Sequence, residues 1–187
     1  SNTDLHFGKG SRIVGDLGFV GLPEIEGVKM NIRLSLSKIN PLDLVQYYPE
    51  WKEHQTLQKF GLTLLDGTFK GTLDDFVINA HSSSSLGKLS GDLDFHIADA
   101  RTTTYSGEVK TAGFELGTLL DQKETWQELD FEGKVSGKGL ELQFASADMN
   151  ALVRRVGFRN YDYTNIRLDG NLQNQYFNGQ VNVKDSN

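Results

Sequence analysis

Alternation with period 2 dominates this chain. In Leu129-Asp130-Phe131-Glu132-Gly133-Lys134-Val135 every second residue is apolar or Gly, with Asp, Glu and Lys between. Ile166 to Leu172 and Leu89 to Ile97 follow the same scheme. Successive side chains of a strand point to opposite faces, so this spacing gives one wet and one dry face of an antiparallel sheet. Wound into a helix, the same residues would scatter around its surface. The unit apolar-x-Gly-x-apolar recurs at Ile13/Gly15/Leu17, Phe69/Gly71/Leu73, Leu89/Gly91/Leu93, Tyr105/Gly107/Val109, Phe131/Gly133/Val135, Leu168/Gly170/Leu172 and Phe177/Gly179/Val181. The spacing between units is irregular, which excludes a fixed-length repeat array. The glycine keeps the dry parity each time. A strand glycine marks a bend, a bulge or a close approach, and repeated on one face it lets a sheet curl around a narrow interior. The expected fold is mainly β: a curled antiparallel sheet, an open groove or half-barrel, with residues 1–187 forming a single segment.

Composition agrees. The 187 residues include 20 Gly and 3 Pro, with 37% hydrophobic and 24% charged residues. That is lean for a thick helical core and suits glycine-punctuated strands. The net charge of −6 comes from 19 basic and 25 acidic residues, with no run of Lys and Arg. This argues against nucleic acid and anionic membrane surfaces as direct partners. Without cysteine there are no disulfides, thiolate metal sites or cysteine nucleophiles. No apolar stretch approaches the roughly 18 residues of a membrane span. Ser1-Asn2 resembles a cloning remnant and no signal peptide is visible, so the chain is expected to be an excerpt of a longer protein.

Further strands are expected at Lys29 to Leu36, Phe76 to Ala80, Leu140 to Ser146, after Asp148, and at Tyr176 to Val183 beyond a polar turn around Gln173-Asn174-Gln175. Two short helices are expected at 40–48 and 117–121. The first has Asn40 as N-cap, Pro41 at the first helical position and Pro49 as a stop. Their paired apolar tips, Leu42/Leu44 and Leu119/Leu120, suit a plug at the end of an open curled sheet. His81 to Leu86, with four serines, reads as a mobile loop.

Candidate chemistry is sparse. Asp92, Asp94 and His96 share one face of a strand and offer metal donors, yet donors in line on one strand need others from elsewhere to close a coordination sphere. The plainer reading is the wet face opposite Leu93 and Phe95. Asp74-Asp75 reads as a polar turn rather than half of a catalytic carboxylate pair. His6, His54 and His81 are isolated, no nucleophile motif or phosphate loop is present, and Arg154-Arg155 reads as a solvated pair. No catalytic residue, metal or cofactor is expected. The dry stripe admits two readings, the core of a closed sandwich or an open groove. The groove would be lined by Ile13, Leu17, Leu34, Phe69, Leu93, Phe95, Val109, Phe131, Val135, Leu168 and Phe177. Acyl chains suit such a groove, since each buried CH₂ contributes about 0.8 kcal/mol.

The glycine-centred alternators, a strand followed by Asn40-Pro41-Leu42-Asp43-Leu44, the phrase Phe69-Lys70-Gly71-Thr72-Leu73-Asp74-Asp75-Phe76 and the phrase Phe114-Glu115-Leu116-Gly117-Thr118-Leu119-Leu120 together resemble the TamB-like proteins of the AsmA-like superfamily. The resemblance runs over nearly the whole chain and carries no catalytic fingerprint. It implies a long protein anchored in the inner membrane of Gram-negative bacteria by a segment absent here. Such a protein crosses the periplasm as a stack of curled sheets, a β-taco, with an apolar groove that carries phospholipid and supports outer-membrane biogenesis. It also implies an outer-membrane barrel partner, engaged through parts outside this chain. Self-association through exposed apolar faces is a further expectation. Two other classes stay open: a chaperone or scaffold module that pairs its strand edges with outer-membrane strands, and a glycan-binding sandwich. The last needs aromatics on the wet face, whereas Tyr47, Tyr48, Trp51 and Trp126 lie beside the helical interruptions.

Overall fold

A computed structural model describes residues 2–24, 27–45, 55–99, 101–139, 145–174 and 176–184. Their strands form one antiparallel sheet of twelve, not closed into a barrel. In chain order the strands are β1 (Asn2–Phe7), β2 (Ser11–Val20), β3 (Lys29–Ile39), β4 (Thr63–Gly71), β5 (Asp75–Ser84), β6 (Gly87–His96), β7 (Thr104–Ala112), β8 (Phe114–Glu115), β9 (Trp126–Lys138), β10 (Ser146–Phe158), β11 (Tyr161–Gln173) and β12 (Tyr176–Val183). Each pairs with the next along a meander, except that β7 pairs with β9 and the two-residue β8 pairs with β9 off the main path. The expected mainly-β antiparallel fold therefore forms, with β1 and β12 outermost among the described strands.

Turn chemistry drives the reversals. Between β4 and β5, Thr72 donates its N–H to the Asp75 carbonyl and its hydroxyl receives the Asp75 N–H, so Asp74 sits in a turn and Asp75 opens β5. Between β6 and β7 the Asp99 carboxylate accepts the N–H groups of Arg101 and Thr102 and the Thr102 hydroxyl. An Asp side chain imitating backbone in this way is a common turn device. These donors hold the Asp99 carboxyl below its usual pKa, the Thr102 hydroxyl most strongly. Arg159 and Asn160, both at positive φ, form the two-residue turn from β10 to β11.

Three short helices gather at one end of the strands: α1 (Pro41–Leu44), α2 (Gln55–Lys59) and α3 (Leu116–Leu119). Hydrogen bonds stitch this end together. Asn40 donates its N–H to Ser11 Oγ, Ser85 to the Phe60 carbonyl and Glu115 to the Leu86 carbonyl. Lys59 Nζ bonds the Leu119 carbonyl and Asp121. Asp43, the buried residue of α1, receives the N–H groups of Lys9, Gly10 and Ser11 and the Ser11 hydroxyl. These donors, Lys9 first, hold its carboxyl below the usual range. Asn40 caps α1 as expected, its side chain accepting the Leu42 N–H.

Several local expectations change. The stretch His81 to Leu86 is no loop: β5 runs on to Ser84, and Leu86 in the turn is fully buried. The serines stay in the ladder, pairing with β6, and their hydroxyls add bonds: Ser82 donates to the Leu89 carbonyl, and Ser84 donates to the Gly87 carbonyl and receives the Leu86 N–H. The first helix covers Pro41–Leu44 with Val45 as its C-cap; residues 46–48 of its expected span lie outside the described residues, as do Trp51 and His54. So does most of the strand expected at 140–146. The second helix runs Leu116–Leu119, beginning one residue before and ending two residues before its expected bounds, and α2 has no counterpart among the expected helices.

Candidate functional site

The register of the ladder assembles the dry face row by row, because residues directly opposite in an antiparallel pair share a face. One row crosses ten strands: Gly15, Leu34, Gly67, Ala80, Gly91, Val109, Gly133, Ala151, Leu168 and Val181. Six of its ten residues are Gly or Ala, with Leu34, Val109, Leu168 and Val181 the larger ones. The next row holds Leu17, Ile32, Phe69, Ile78, Leu93, Gly107, Val135, Met149, Gly170 and Gly179. Beyond it come Phe76, Phe95, Tyr105, Gly137, Ala147, Leu172 and Phe177. On the other side of the first row, Phe131 faces Val153, and Ile13 lies opposite Leu5. Irregularly spaced glycine units thus become aligned columns once the strands pair.

All eleven residues expected to line a groove fall on this face. Ten are half-buried and Phe177 is 37% exposed, so none belongs to a sealed interior. Among the described residues the buried apolar side chains are Val28, Leu86, Phe114, Ala145, Ala147, Ala151 and Val153, three of them alanine. No second layer of the described structure covers the face. Aromatic rings continue across it: Phe69 stacks on Phe76 at 4.7 Å between centroids, Phe76 on Phe95 at 5.2 Å, and Tyr105 follows at 6.2 Å. Burial beside these rings pushes the Tyr105 phenol above its usual pKa.

Two glycines show why this face needs them. Gly67 has φ +150° and a Cβ there would stand 2.2 Å from the Asn79 carbonyl oxygen; Gly107 has φ +145° and would meet the Asp92 oxygen at 2.0 Å. Neither conformation suits an L side chain, so the strand bends at these points depend on glycine.

The opposite face is polar and laced by cross-strand ion pairs. Glu132 sits between Lys110 and Arg154, Lys134 meets Glu108 at 3.4 Å, and Arg155 gathers Glu128, Asp130 and Asp162. The Arg154 guanidinium, followed by Lys110, holds the Glu132 carboxyl below its usual pKa. The Arg154-Arg155 pair is therefore engaged in ion pairs; its partners are distant in sequence and become visible only through the β9–β10 register. Two depressions, about 860 and 950 Å³, open here. Both are lined by Asp92, Glu108, Lys134, Asn150 and Asp169; Val109 and Leu168 also border the first, and Val77, Val135 and Met149 the second. A third depression of about 380 Å³ lies beside Glu128 and Arg155.

Asp92, Asp94 and His96 stand in line on this polar face, opposite Asn79, Val77 and Asp75 of β5. Among the described residues no three His, Asp or Glu side chains converge as metal ligands. His6 lies 3.3 Å from Asp4, and His81 3.6 Å from Asp66, both exposed pairs. The described residues thus present one half-buried apolar face and one polar face crossed by ion pairs. No family model, curated protein or solved structure matches this chain.

Proposed function

We propose that the apolar sheet face holds acyl chains, and that this chain is a TamB-like conduit segment for phospholipid in the periplasm, part of an inner-membrane-anchored protein that supports outer-membrane biogenesis. The observation that carries the reading is the half-exposed apolar face, ten strands wide and free of a covering layer among the described residues. In the first row the small residues Gly67, Ala80, Gly91, Gly133 and Ala151 stand among Leu34, Val109 and Leu168, and a saturated chain lying on this face would lose about 0.8 kcal/mol of unfavourable hydration for each CH₂ buried. Polar recognition on that face is minimal, which suits many equivalent positions that bind and release. The polar-walled depressions opposite play no part in this reading.

Photo-crosslinking tests it. A photoreactive phenylalanine analogue at Phe69 or Phe131, in cells, yields phospholipid adducts, while the same group at Lys134 or Asp92 on the polar face yields none. Equal labelling from both faces, or none from either, rejects the proposal. The scaffold reading, strand pairing with outer-membrane proteins, gives protein adducts at the sheet edges instead.

A further inference from the structure

One polar group interrupts the apolar face. Across the three rows that begin at Gly15, Leu17 and Phe76, every side chain is apolar or absent except that of Tyr105. The hydroxyls of the row on the other side, which runs Ser37, Leu65, Ser82, Leu89 and Thr111, are engaged with backbone. Ser37 exchanges bonds with Val14, Ser82 donates to the Leu89 carbonyl, and Thr111 donates to the Leu129 carbonyl and receives the Phe131 N–H.

Tyr105 differs from these. Its ring ends the ladder that starts at Phe69, 6.2 Å from Phe95 between centroids. Beyond it the row drops to Gly137 and Ala147. The ring leans over Gly137, with Oη 2.8 Å from where a Cβ on that residue would stand. The phenol is half-buried. Among the described residues it has no hydrogen-bond partner, and burial alone raises its pKa. While the face is open, water serves the hydroxyl. A hydrocarbon laid over the face removes that water and offers no acceptor, and a polar group buried without a partner opposes its own burial. A ligand that brings an acceptor to this point avoids the penalty. A phosphate or free carboxylate would call for a cation, and the three rows carry no charged side chain. The fitting acceptor is therefore neutral.

We propose that Tyr105 anchors acyl lipid on this face by donating a hydrogen bond from its hydroxyl to an ester carbonyl oxygen, with the hydrocarbon lying over the neighbouring apolar rows. This role presupposes that acyl chains bind the face. Given that, Tyr105 is a positioning residue: it fixes where the polar end of a chain stops, and it favours esterified chains over bare hydrocarbon. A site built around one hydrogen-bonding group discriminates against the analogue that lacks the matching group, because the site's own group is then left unpaired.

Methyl palmitate and hexadecane test this role, since they carry hydrocarbon of similar length and differ in the ester. Each is titrated against an apolar-sensing dye bound to the 187-residue chain. Tyr105→Phe keeps the ring and is expected to weaken methyl palmitate about five- to ten-fold, the worth of one neutral hydrogen bond, while hexadecane binds no more weakly than before. Tyr163→Phe, which removes an exposed phenol elsewhere, leaves both affinities unchanged. With an isotope-labelled carbonyl, the infrared band of the bound ester lies at lower frequency in the wild type than in Tyr105→Phe. Equal ester affinity in wild type and Tyr105→Phe, an ester band at the same frequency in both, or an equal loss for hexadecane overturns the role of Tyr105 and leaves acyl binding standing. If neither probe displaces the dye from the wild type, the acyl-chain reading fails and this role fails with it.

Discussion

At the scale of single residues, strain and buried polar groups concentrate where β2 and β3 slip register. The pairing shifts between Arg12 and Gly15 on one strand and between Leu34 and Ser37 on the other strand. Leu36 takes up the irregularity at φ +48° with its side chain 85% exposed. It contributes little burial and carries the penalty of a left-handed backbone. Leu36→Asn, which tolerates that conformation, is expected to raise unfolding free energy by about 0.5–1 kcal/mol in urea melts. Ser37 does the opposite work: fully buried, its hydroxyl receives the Val14 N–H and donates to the Val14 carbonyl. Ser37→Ala leaves both backbone groups unpaired and is expected to cost about 1–3 kcal/mol in the same measurement. Asp43 closes the helical end. Its carboxyl is held below the usual pKa by backbone donors, so its stabilisation is complete above the unfolded value near 4 and disappears as pH falls through the folded value. Asp43→Asn is expected to melt several degrees below the wild type at pH 6 and to approach it at pH 3.

At the scale of elements, alternation made the strands legible and their register illegible. Lys29 to Leu36 and Tyr176 to Val183 follow directly from period 2, because a half-buried sheet face imposes that period and nothing else does. The rows that put Gly67 beside Ala80 and Gly91 depend on turn lengths and on bulges such as that at Arg155, which local pattern does not encode. The same limit explains His81 to Leu86, whose serines bond the ladder and turn, and the ion-pair partners of Arg155. The apolar face itself was readable residue by residue, whereas its alignment into columns was not. Those columns make a prediction for the paired strands β4 and β5. Gly67→Val forces a β-branched side chain into a positive-φ position against the Asn79 oxygen, with an expected loss of about 2–4 kcal/mol in unfolding free energy. Thr68→Val, one residue on and on the polar face, is expected to change it by less than about 0.5 kcal/mol.

At the scale of the whole molecule, one sheet without a second layer leaves a large surface wet. A compact protein of 20.8 kDa exposes about 8,900 Å² and its unfolded chain about 30,000 Å². The chain exposes 12306 Å², so folding hides about 60% of the unfolded surface, the share typical of a 60-residue domain rather than of one three times longer. Denaturant sensitivity scales with the surface newly exposed on unfolding. The urea m-value is therefore expected to fall roughly 15% below that of compact chains of equal length, with the heat capacity of unfolding lowered in the same sense. A dye that fluoresces in apolar surroundings is expected to bind the folded state and to be displaced by detergent below its micellar concentration. An m-value at or above the compact expectation, with no dye binding, would mean that the apolar face is covered in solution. Self-association through the apolar faces would hide them, so dye binding that falls as protein concentration rises is the expected sign of face-to-face stacking, and dye binding independent of concentration excludes it.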